Sequence, residues 1–152
     1  MDFDEGLIKG KITEVIFEEM FQKQGEFEVI PVGYEYQTPD VAQNLFKSEN
    51  RHFVERFRHL PDFVLYSKNT NQAFLVEVKF RHKIDEQDLV KIATLVHGYN
   101  GPSYLFLATP EGFYFGSCKK IMEEKYIEEL SYTWISKDLQ DKYLNLLNKY
   151  IH

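Results

Sequence analysis

The chain has 152 residues, 43% of them hydrophobic, enough to bury one full core in one domain spanning residues 1–152, and no repeat, linker or low-complexity segment divides it. Its single cysteine excludes an internal disulfide framework and a cysteine-based zinc cluster, the acidic start lacks a secretory pattern, and no apolar run approaches the ~20 residues of a membrane helix, so a cytoplasmic protein with no membrane partner is expected. A net charge of −6 weighs against nucleic acid, whose non-specific affinity needs clustered Lys and Arg, unless local charge overrides the sum within a screening length of about 8 Å.

Leu7 to Gln24 reads as a helix, with Ile8, Ile12, Ile16 and Met20 on one stripe and Leu7, Gly10, Glu14, Phe17 and Phe21 on another. Glu14 therefore lies on an apolar stripe, and Glu18 lies about 40° further round the helix. After Gly25, Phe27 to Tyr36 has the composition of a strand, with Pro31 pointing to an edge or a bulge. Thr38-Pro39-Asp40 reads as a helix start with Thr38 as N-cap. It opens a helical insertion from Val41 to Leu60 whose Lys47, Arg51, Arg56 and Arg58 outnumber Glu49 and Glu55.

Phe63 to Ser67 and Ala73 to Phe80 read as two strands joined by the polar turn Lys68-Asn69-Thr70-Asn71. A four-residue turn pairs Ser67 with Gln72, and the same register places Asp62 opposite Glu77; a slip by one residue would undo this. Along the second strand Phe74, Val76, Val78 and Phe80 point one way, while Leu75, Glu77 and Lys79 point the other, Glu77 and Lys79 about 7 Å apart. Two carboxylates side by side on a half-buried strand need compensation. Lys79 supplies one positive charge, and a divalent cation would supply the rest. A second basic cluster, Lys79, Arg81 and Lys83 around His82, follows at once.

Asp85 caps the next predicted helix, which runs to about His97 with Leu89, Ile92, Ala93 and Val96 buried, Gln87 and Lys91 on its polar side, and Gly98 as a stop. Tyr104 to Thr109 and Phe113 to Ser117 follow as strands around the turn Pro110-Glu111-Gly112. Past an acidic stretch, a last helix after Ser136 repeats Leu139, Tyr143, Leu146, Leu147 and Tyr150 at helical spacing, as expected of a helix that covers the core.

With Pro61-Asp62 as one half-motif and Glu77-Val78-Lys79 as the other, the chain resembles the PD-(D/E)xK nuclease superfamily. The order helix, three strands, helix, strand between Leu7 and Ser117 matches that family's requirement. The resemblance implies an α/β fold with a restriction-endonuclease-like core, here carrying a helical insertion and an extra C-terminal helix. It also implies metal-dependent hydrolysis of phosphodiester bonds in nucleic acid, DNA before RNA. Asp62, Glu77 and the Val78 carbonyl would hold Mg²⁺ or Mn²⁺ with water, and Glu14 on the first helix would assist. Lys79 would orient the attacking water and stabilise the transition state, with general-base catalysis as its second assignment. Arg51, Arg56, Arg58, Arg81, Lys83, Gln87 and Lys91 would meet the nucleic acid, and a homodimer or a protein partner could supply specificity. Two other classes fit the same sequence: a catalytically silent nuclease-like module that binds nucleic acid or protein, and a structural subunit of a larger assembly.

Overall fold

A computed structural model describes residues 3–33, 60–98 and 102–151. The expected helix start at Thr38-Pro39-Asp40, the insertion up to residue 59 and its Arg51, Arg56 and Arg58 lie outside the described residues. The chain begins with helix α1 (Phe3–Lys23), which starts a turn earlier than its periodicity predicts. It ends where Gly25 takes a left-handed φ of 87°, a conformation that costs glycine no steric penalty. Strand β1 (Phe27–Pro31) is followed by β2 (Phe63–Ser67) and β3 (Gln72–Phe80). Helix α2 (Glu86–His97) then crosses to β4 (Ser103–Thr109), which turns directly into β5 (Gly112–Ser117). A short helix α3 (Cys118–Glu124) and the last helix α4 (Lys137–Tyr150) complete the molecule.

The α/β architecture is therefore a five-stranded mixed sheet in the order β1-β2-β3-β4-β5 with helices on both faces. Among the described residues only the β3–β4 pair is parallel, as expected where a helix connects two neighbouring strands. The β2–β3 hairpin has the register read from the sequence, Ser67 opposite Gln72 and Phe63 opposite Val76. Asn71 closes its turn with a φ of 57° and accepts a hydrogen bond from the Tyr66 hydroxyl, a position that asparagine tolerates better than most residues.

On one face, α1 and α4 press an aromatic-rich core onto the sheet. Phe17 stacks on Phe106 at 5.1 Å and meets Phe21 and Phe63 edge-on, while Trp134 stacks on Phe27. The last helix covers the core over most of the predicted stripe: Tyr143 and Leu147 are buried and Leu139 and Leu146 pack beside them, whereas Tyr150 at its end is exposed. Gln24, just past α1, accepts from the main-chain N–H of Ser136, the N-cap of α4, and so ties the two helices together. The apolar stripes of α1 behave differently along their length. Ile16, Phe17, Met20 and Phe21 are buried, whereas Leu7, Ile8 and Val15 are more than half exposed. Amphipathic spacing alone does not say how far the sheet extends beneath a helix.

On the other face, Leu89, Ile92, Ala93 and Val96 of α2 meet Leu105 and Leu107 of β4 and Cys118 and Ile121 of α3. The α2 stripe and its Asp85 cap, which accepts from the Asp88 N–H, agree with the sequence reading. Helix α3 was not expected: seven residues are too few to show periodicity, although Ser117 caps it through the Lys120 N–H. The free edge of β5 is closed by the segment after α3, where Phe115 N–H donates to the Glu128 carbonyl and Leu130 N–H to the Phe113 carbonyl.

Truncating Phe17, which packs with three other rings in the core, to alanine is expected to cost about 3–5 kcal/mol in urea unfolding, against little for the exposed Val15→Ala. Burial pushes the Cys118 thiol up to about 11 from 9.0, with the Ser103 hydroxyl acting against this and the Glu77 charge adding to it. The thiol's contribution to stability is thus complete below pH about 9 and is lost as pH rises towards about 11. Urea midpoints taken across that window should fall more steeply in the wild type than in Cys118→Ala.

Candidate functional site

The site begins where β2 leaves β3. Phe63 opposite Val76 is the last pair between these strands, whereas Glu77 to Phe80 remain paired with Leu105 to Ala108 of β4. Pro61 has no N–H with which to continue the ladder, so the half of β3 that carries the charged residues is left with main-chain groups to satisfy on that side. Asp62 meets part of that need. Its side chain is buried, and its Oδ2 accepts from the Val78 N–H at 2.8 Å. Its carbonyl accepts from the N–H groups of Val32 and Gly33, at 3.0 and 3.2 Å, just beyond β1. One residue thus joins the ends of three strands.

Alternation along β3 sends Val76, Val78 and Phe80 into the α1 face and Glu77 and Lys79 to the α2 face. The Glu77 carboxylate is 12% exposed and the Lys79 side chain 39% exposed, and Oε1 and Nζ are 3.9 Å apart. The carboxylate is sheltered, and the ammonium reaches towards solvent. Asp62, Glu77, Val78 and Lys79 line one open cavity of about 780 Å³, and Glu14 of α1 lines it as well. The five residues that the sequence brings together as a site therefore share one cleft. Glu18, the other glutamate considered on α1, does not line it.

The predicted cationic and polar contacts fare unevenly. Lys91 of α2 and Arg81 border the cleft. Arg81, however, is engaged within the chain. Its Nε donates to Asp88 Oδ2 at 2.7 Å, its Nη2 to Oδ1 at 3.4 Å, and its Nη1 to the Phe80 carbonyl at 2.9 Å. It braces the end of β3 against the first turn of α2. Lys83 and Gln87 are exposed and lie outside the lining. In their place the cleft recruits Lys9 and Lys11 from α1, with His82 beside Lys9, none of which the sequence reading assigned to the site. A clue was present in α1, where Lys9 and Lys11 flank Gly10 one turn before Glu14. Nothing local, however, indicates that residues 9 and 82 meet.

Among the described residues, five cationic side chains, Lys9, Lys11, Lys79, Arg81 and Lys91, line the cleft against four carboxylates, Glu14, Asp62, Glu77 and Asp88. In a chain of net charge −6, cations thus slightly outnumber acids among the described residues of the cleft. Among the described residues, no three acidic, histidine or cysteine side chains form a ready-made metal cage. The donors at hand, carboxylates and the Val78 carbonyl, are hard oxygens. Mg²⁺ is commonly held by one or two carboxylates, water and substrate phosphate rather than by a closed protein cage, so the donor set fits such an ion. No helix of the described residues is long and apolar enough to cross a membrane. Neither protein-family models nor curated proteins give a match to this chain.

Asp62→Ala would leave the Val78 N–H without its acceptor and should cost about 1–3 kcal/mol in urea unfolding, while Asp62→Asn, which keeps an oxygen at that position, should cost clearly less. Equal losses in the two variants would show that the hydrogen bond is not what holds the strand ends.

Proposed function

We propose that the cleft hydrolyses phosphodiester bonds of nucleic acid, DNA before RNA, and that the fold is a restriction-endonuclease-like core of the PD-(D/E)xK type. The observation that carries this reading is the presence of Asp62, Glu77 and Lys79 in one cleft, at the point where β2 parts from β3, with Glu14 of α1 in the same lining. The order α1, β1, β2, β3, α2, β4 supports it, with β5, α3 and α4 as additions.

Asp62 and Glu77 would hold Mg²⁺ or Mn²⁺ with the Val78 carbonyl, and Glu14 would assist. When bound, the ion would activate water and polarise the scissile phosphate. The residues of the chain would do the rest. The hydrogen bond from Val78 restrains the Asp62 carboxylate so that its direction does not have to be organised during the reaction. Lys79, whose ammonium lies 3.9 Å from the Glu77 carboxylate, would orient the attacking water and neutralise charge that develops on the phosphate oxygens. Lys91 and the α1 lysines would draw the polyanion into the cleft, and the Arg81–Asp88 pair would keep the wall that carries Lys91 in register with β3.

The test is cleavage of labelled single-stranded, duplex and branched DNA and of RNA with Mg²⁺, Mn²⁺ or EDTA. The wild type should cut only with metal, and Asp62→Asn and Lys79→Ala should each lose about 10²–10³-fold or more in rate while remaining folded. Metal-dependent cutting that survives in both variants would overturn the assignment of the site. A wild type that cuts none of the substrates would overturn the activity and leave a binding module.

A further inference from the structure

The α1 wall of the cleft holds two features for which a general attraction of the polyanion does not account. The first is Lys9, whose ammonium donates to His82 Nε2 at 3.1 Å and stands 5.9 Å above the Phe80 ring. A lysine ammonium has only donors, so Nε2 is the acceptor in this contact. Neither the imidazole nor the ring carries negative charge, so these contacts fix the ammonium without neutralising it. Two of its three N–H donors are not used by His82. The second feature is Gly10. Glycine within a helix is destabilising relative to alanine, and it is usually retained for a left-handed φ or for close packing. Among the described residues Gly10 shows neither: its φ is not positive, and beyond its chain neighbours and its own helix backbone an added Cβ would meet nothing within 4 Å. It lines the cleft one turn before Glu14 and leaves bare backbone there.

We propose that a DNA strand crosses α1 at Gly10, with the phosphate next to the scissile one seated on Lys9, and with His82 as a positioning residue that holds the ammonium in place. This rests on the hydrolytic reading of the cleft and adds to it a second phosphate subsite and a passage for the strand. The bare helix surface gives the sugar-phosphate chain its close approach, and the fixed cation sets the spacing from the bond over Glu77 and Lys79.

The proposal is tested by the fluorescence anisotropy of fluorescein-labelled single-stranded and duplex DNA bound to the full chain carrying Asp62→Asn, over a series of salt concentrations. Adding Lys9→Ala should weaken binding several-fold and reduce the slope of log affinity against log salt by about 0.7 for single strands and about 0.9 for duplex, as expected for one lost phosphate contact. Lys9→Arg should keep the slope. His82→Ala should weaken binding with Lys9 intact, and His82→Gln, which keeps an acceptor for the ammonium, should restore part of it. Gly10→Ala should raise the urea midpoint yet weaken binding, and Gly10→Leu should weaken it about tenfold or more. If the parent chain binds both DNAs while Lys9→Ala keeps its slope and Gly10→Leu its affinity, the passage over α1 is overturned and the hydrolytic reading stands. If the parent chain binds neither DNA and the wild type cuts none, both are overturned.

Discussion

A buried carboxylate needs donors, and that need organises this molecule around Asp62. The loss of main-chain pairing after Phe63 would leave the Val78 N–H buried without an acceptor. The Asp62 side chain supplies one, and its carbonyl takes two more N–H groups from the residues after β1. The strand ends that diverge to make the cleft are thus held by the same residue whose charge the cleft uses. This arrangement explains why Asp62 stands directly after a proline: Pro61 stops the ladder, and Asp62 makes good the hydrogen bonding that the stop disrupts.

The two faces of the sheet have different tasks around that point. The aromatic core between α1, α4 and the sheet fixes the height of α1 through Phe17 and Phe21, and through them the position of Glu14 one turn earlier. The smaller aliphatic core under α2 and α3 seats Lys91 and Asp88 above Glu77 and Lys79. The cleft is bounded by both helices, and interiors packed as densely as crystals let little relative movement through. The N-terminal half of α1, where Leu7 and Ile8 are exposed, lies beyond this support, and it is there that the cleft acquires Lys9 and Gly10.

Much of this was legible in the sequence because it is local. The four-residue turn sets the β2–β3 register, period-two alternation sends Glu77 and Lys79 to one face, and the Asp85 cap with its apolar stripe defines α2. The PD and ExK half-motifs needed only those rules to be brought together. What the sequence did not disclose is non-local or too short. Lys9 meets His82 across 73 positions, and Arg81 is a lone charge in a composition count but one held by Asp88 in the fold. Helix α3 has a cap and two buried residues but no room for a period. The apolar stripe of α1 runs past the end of what it covers, because hydrophobic spacing records a helix face and not the extent of its partner.

The closure of β5 has a consequence for how this chain can meet others. Extended peptides often join a protein by adding a strand to an open sheet, which requires a run of unpaired N–H and C=O groups. The β5 margin is already occupied by residues 128–130, in part through the bridge between Tyr114 and Glu129. The β1 margin is five residues long and ends in Pro31, which has no N–H to offer. Among the described residues, neither margin offers a long template for strand addition.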